Sequence, residues 1–146
     1  MYGNVPRSRG QNLTLLCALT LRGPCAEWVV DGGVNGEVFV TYVRKVLVPE
    51  LREGQAVVMD NLGAHHRAEV RQLIEDAGAI LVMLPLYSPD FNPIELMFSK
   101  LKAAMRKLAE RTRQGVVSAL RTALDTVTTA DIRGWFQHTR SLQYLW

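Results

Sequence analysis

Two carboxylates near the middle of the chain could do chemistry. Asp60 ends the apolar run QAVVMD and Glu95 ends the run YSPDFNPIE, with 95 − 60 − 1 = 34 residues between them. Carboxylate oxygens are the ligands that Mg²⁺ and Mn²⁺ prefer, so acids at neighbouring strand ends can share a divalent cation. Each acid also has a plain structural use. Asp60 with Asn61 suits the turn that closes a strand. Asn92 suits a helix N-cap, Pro93 the first helical position, and Glu95, three residues after Asn92, the return bond of a capping box.

Where these acids stand depends on the elements that carry them. NLTLLCALTL and EWVV, separated by the turn signal RGPC, predict a hairpin with strands near 12–21 and 26–31. In NGEVFVTYVRKVLVPEL the residues Val38, Phe39, Tyr42, Val43, Val46 and Leu47 recur at helical spacing, and Asn35 can cap that helix. The short apolar runs at 55–60 and 79–84 read as buried parallel strands. Between them, 66–77 reads as an amphipathic helix closed by Gly78. A helix from Pro93 to about Leu108 follows, then one or two more between Gln114 and Tyr144. A hairpin followed by strand, helix, strand, helix implies an α/β sandwich on a mixed sheet, with function gathered at strand C-terminal ends.

The helix after Pro93 also sorts its own charges. At 100° per residue from Lys100, Ile94, Met97, Leu101, Met105 and Leu108 fall at about 60–140°, a stripe to be buried. Glu95, Lys102 and Arg106 fall together at about 200–240°, and Lys100, Lys107 and Arg111 lie on another face. Lys102 and Arg106 therefore flank Glu95 as candidate contacts to a nucleic-acid backbone.

Composition sets the outer bounds. At 146 residues, 48% hydrophobic and 21% charged, the chain is expected to form one domain, 1–146, with a single core. No apolar run has the length of a membrane span, and MYGNVPRSRG lacks a signal-peptide core, so a cytoplasmic protein with no membrane partner is expected. Cys17 and Cys25 have no histidine at ligand spacing and read as buried free thiols. The net charge is +3, but Lys100 to Arg121 holds seven Lys or Arg against one acid, 7 − 1 = +6, leaving 3 − 6 = −3 elsewhere. Such clustering suits a polyanionic partner, because phosphate neutralisation supplies most nucleic-acid affinity. It also suits a solvated helix face.

VVMDNLGAHH followed by LPLYSPDFNPIELMFSKLK resembles the endonuclease domain of bacterial insertion-sequence transposases of the mariner-like superfamily, the DDE group. The 34-residue interval agrees with that group's spacing between its second and third acids. The likeness extends upstream through VVDGGVNGEVFVTYVRKVLVPEL and covers most of the chain. It implies an RNase H-like, retroviral-integrase-type mixed sheet with flanking helices. It also implies metal-dependent DNA strand cleavage and transfer, with two ions, Mg²⁺ or Mn²⁺, held by three acids. Asp60 would be the second acid and Glu95 the third. Asn61, Tyr87, Ser88, Asp90 and Asn92 would shape the site, while His65 and His66 would approach phosphate from a helix N-terminus. Transposon ends and target DNA would be the partners, in the bacterial nucleoid.

The likeness also implies a first acid on a first, central strand ahead of the hairpin, and here the chain departs from it. The one aspartate before Asp60 is Asp31, at the end of EWVV, and MYGNVPRSRGQ resembles the loop after that first strand. An N-terminally truncated catalytic domain is expected, lacking its first central strand and inactive alone. The exposed strand edges this would leave invite pairing with a second copy, an intact transposase or an upstream fragment. The alternatives are a non-catalytic remnant or regulatory protein that binds DNA or pairs with an intact transposase, and another nuclease of RNase H-like fold.

Overall fold

The computed structural model describes residues 2–5, 13–59, 64–84, 93–108 and 113–138, with the side chains of 2–5, 64, 65, 108 and 113 outside that description. Strands β1 (Tyr2–Val5), β2 (Leu13–Thr20) and β3 (Gly23–Asp31) form an antiparallel sheet in that order. Strands β4 (Ala56–Met59) and β5 (Ile80–Met83) form a separate parallel pair in the register Ala56↔Ile80 to Met59↔Met83. The helices are α1 (Gly36–Tyr42), α2 (Ala64–Asp76), α3 (Ile94–Leu108), α4 (Arg113–Asp125) and α5 (Thr129–His138). Among the described residues no helix is long and apolar enough to cross a membrane.

Side-chain alternation on β2 divides the interior in two. Leu13, Leu15 and Cys17 pack against Met97, Phe98, Leu101 and Met105 of α3 and Val116 and Leu120 of α4. Leu16 points the other way, into a cluster with Phe39, Tyr42, Val43, Val70, Ile74 and Leu81. Helices therefore cover both faces, as the strand and helix order implied. Cys17 and Cys25 are free thiols, the first buried and the second half-buried. Burial pushes the Cys17 thiol up to about 12 and raises Cys25 as well, so neither is a thiolate near neutral pH.

The structure corrects the sequence reading at two places. Tyr2–Val5, expected in a loop, form a strand in register with Leu13–Leu16, so half of the β2 edge is paired rather than open. The segment from Asn35 is not one α-helix. After Tyr42 it widens into a π-turn over Val43–Leu47 and then tightens into a 3₁₀ turn over Val48–Glu50, where Pro49 has no N–H to continue the ladder. The Asn35 cap forms as expected, its side chain accepting from the Val38 N–H at 2.9 Å.

Gly78 closes α2 as expected, at φ +84. The Gly78 N–H donates to Glu75 O at 2.9 Å and the Ala79 N–H to Ile74 O at 3.1 Å, the paired bonds of a Schellman end. This turn delivers the chain into β5 with Ala79 already buried. Gly78→Ala is expected to destabilise by about 1–2 kcal/mol, the cost of a left-handed backbone in a residue with a Cβ. Urea unfolding would show it as a lower midpoint at unchanged slope.

Candidate functional site

Glu95 stands in the first turn of α3, where Leu96 and Met97 N–H groups donate to Pro93 O at 3.1 and 3.4 Å. The residue is exposed, and a carboxylate there is favoured by the helix dipole. Ile94, Met97, Leu101 and Met105 are buried as the periodicity required, and Phe98 joins them. That stripe turns Glu95, Lys102 and Arg106 outward together, and all three are exposed. Lys102 lies seven residues and Arg106 eleven beyond Glu95, about 10 and 16 Å along the axis.

Lys100 has another occupation. Its ammonium donates to Thr126 O at 2.9 Å and to the Asp131 carboxylate, tying α3 to the start of α5. Asp131 also accepts from the Thr128 N–H at 3.0 Å, while its own N–H donates to Thr128 Oγ1 at 3.0 Å. The hydrogen bond from Lys100 is the main reason its carboxyl lies below the usual range. The Thr-x-x-Asp spacing at 128–131 was a readable capping-box signal for this helix start that the sequence reading passed over.

The chain leaves β4 at Met59 and β5 at Met83, side by side, and the Leu84 N–H extends the pairing by donating to Met59 O at 2.9 Å. Asp60, Asn61, Tyr87, Ser88, Asp90 and Asn92, together with the side chain of His65, lie outside the described residues. Among the described residues no group of three or more His, Cys, Asp or Glu could hold a metal ion. Glu95 does present an exposed carboxylate oxygen donor, the type that a hard divalent cation takes, so the described half of the pair fits such an ion. Asp31 ends β3, which is an edge strand of its sheet among the described residues, and is exposed there.

His66 sits in the first turn of α2 and is half-buried. Its ring lies against Gly36, the first residue of α1, where a Cβ would meet His66 Cδ2 and Nε2 at 2.1 Å. Glycine here permits the close approach of ring to backbone that sets α1 beside α2. Nothing in the sequence pairs positions 36 and 66, so the sequence reading missed Gly36. Gly36→Ala is expected to cost about 1–3 kcal/mol by overpacking. His66→Ala in the same chain should return most of that loss, a coupling that a double-mutant cycle in urea would measure.

Comparison with known proteins gives this geometry a setting. A family model of DDE superfamily endonucleases matches residues 2–115. Among solved structures the chain is similar to the Mos1 transposase catalytic domain, solved with raltegravir and Mg. The identity is 17%, with 98% of this chain and 78% of that one covered at a TM-score of 0.76. A search of curated protein sequences finds no match. At that identity the structural likeness speaks for the fold, while the family match spans well over half of the chain. The chain thus belongs to the DDE superfamily endonucleases and has the RNase H-like fold of a transposase catalytic domain.

Proposed function

We propose that this chain is the DNA-handling part of a transposase that cuts and joins DNA strands at transposon ends and target sites. The observation that carries the reading is one exposed face of α3 that places Glu95 in line with Lys102 and Arg106. Asp60 and Glu95 are the acids that would hold Mg²⁺ or Mn²⁺. A pair of such ions, when bound, supplies an activated water or 3′-hydroxyl and stabilises the leaving oxygen. The protein's own contribution is positional. Glu95 is fixed by the buried stripe of α3, and Lys102 and Arg106 hold the DNA backbone beside it. His65 would add a phosphate contact at the start of α2, where backbone N–H groups favour anions, whereas the ring of His66, the other candidate, is packed against Gly36.

A second reading, DNA binding or pairing with an intact transposase without cleavage, is favoured by Asp31. Asp31 stands on β3, an edge strand of the three-stranded sheet among the described residues, and not on the parallel pair that leads to Asp60. The purified chain incubated with supercoiled plasmid and Mg²⁺ or Mn²⁺ should bind DNA and nick it slightly at most. Robust metal-dependent nicking would overturn the second reading. Glu95→Gln and Asp60→Asn should each weaken Mn²⁺ binding measured by paramagnetic broadening, and unchanged binding in both would remove these acids from the site.

A further inference from the structure

The buried stripe of α3 sets which way the helix faces, but not how far along its axis it sits. Apolar contact is non-directional, and the rows of side chains on a helix repeat every turn, about 5.4 Å. Axial register therefore calls for a directional contact.

Lys100 supplies one. Its ammonium reaches Thr126 O at 2.9 Å and the Asp131 carboxylate, and both acceptors are already fixed by bonds of their own. Thr126 directly follows α4, its N–H donating to Ala123 O at 3.1 Å and its hydroxyl to the same oxygen at 2.6 Å. Asp131 is held in the first turn of α5 by its reciprocal bonds with Thr128. The ammonium thus enters a socket made by the end of one helix and the start of the next, 26 and 31 residues away in sequence. Val116 and Leu120 of α4 share one core with Leu13 and Leu15 of β2, so the socket is fixed to the sheet.

Stability is not what this pair chiefly supplies. The two side chains are 34% and 31% exposed, and ion pairs this open contribute little to folding. Polar contacts between packed helices do serve to fix register, as a single polar residue does in a coiled coil. Glu95 lies five residues before Lys100 on the same helix, about 7.5 Å along the axis.

We propose that Lys100 is a positioning residue: seated on Thr126 and Asp131, it fixes the axial position of α3 and so holds the Glu95 carboxylate where a divalent cation is bound. This rests on the metal reading of Glu95 given above. It also takes Lys100 out of the basic surface offered to DNA.

Mn²⁺ affinity from paramagnetic broadening, with urea unfolding alongside, tests this in the full chain. Lys100→Met and Asp131→Ala should each lower the affinity about tenfold, the lower end of what supporting residues contribute to a metal site. The double variant should lose no more than either alone. Charge by itself predicts opposite signs, because Lys100→Met removes a positive charge and Asp131→Ala a negative one. Losses of the same sign therefore identify the contact. The urea midpoint of Lys100→Met should stay near that of the parent chain. Additive losses, opposite changes or unchanged affinity, where Glu95→Gln does weaken Mn²⁺ binding, would overturn the inference and leave the metal reading standing. So would a Lys100→Met midpoint that falls while the affinity holds, since the pair would then be a stabilising contact only. Unchanged binding in Glu95→Gln would remove the metal reading itself, and the inference with it.

Discussion

Reversing Lys102 and Arg106 together to glutamate is expected to weaken duplex DNA binding about 30-fold at roughly 0.15 M salt. Each neutralised phosphate contributes a salt slope of about 0.9 in log–log terms, which near 0.15 M amounts to about fivefold in affinity per contact. Two lost contacts give the stated loss and lower the slope by about 1.8. Both side chains are exposed, and no fold-stabilising partner is needed to explain their orientation, because the buried stripe of α3 sets it. Lys45→Glu with Lys107→Glu is the control. It changes net charge equally at two other exposed positions, so it should weaken binding far less. Equal losses in the two double variants, measured by fluorescence anisotropy across a salt series, would mean that net charge rather than this face governs binding.

Tyr42→Ala is expected to remove about 4 kcal/mol of stability, within the range for truncating a buried aromatic. Tyr42 is 1% exposed, with the Trp28 ring stacked on one side at 6.2 Å and Phe39 tilted against it at 6.1 Å. Its hydroxyl donates to Ala26 O at 2.8 Å. That carbonyl belongs to a bulge: the pairing passes from Leu16↔Trp28 to Ala18↔Cys25, leaving Ala26 and Glu27 opposite Cys17, with Ala26 at φ 53. A residue with a Cβ adopts that backbone at a cost of about 1–2 kcal/mol, a cost that the buried hydrogen bond helps to offset. Tyr42→Phe isolates this part and should cost about 1–3 kcal/mol, the penalty for leaving a buried carbonyl unsatisfied. A total stability of about 5–15 kcal/mol makes both losses readable in urea. A neutral Tyr42→Phe would show that the bulge stands without the hydroxyl.

The same pair of residues shows how far sequence alone reached. Side-chain periodicity is a local property, so the hairpin, the two parallel strands, α2 with its Gly78 end and the buried stripe of α3 were legible without any fold in hand. The outward grouping of Glu95, Lys102 and Arg106 followed from that stripe, because a helix that buries one face has no choice about the other. The paired motifs around Asp60 and Glu95 pointed to the family in the same local way. Contacts between distant positions carried no such signal. Tyr2–Val5 is too short to show a period and becomes a strand because β2 offers it an edge. Gly36 meets His66, Tyr42 reaches Ala26, and Lys100 reaches Asp131, each across a separation that only packing closes. Local pattern determined which residues face inward, and the folded chain decided which inward and outward faces meet, since hydrogen bonds and close packing depend on distance in space rather than along the sequence.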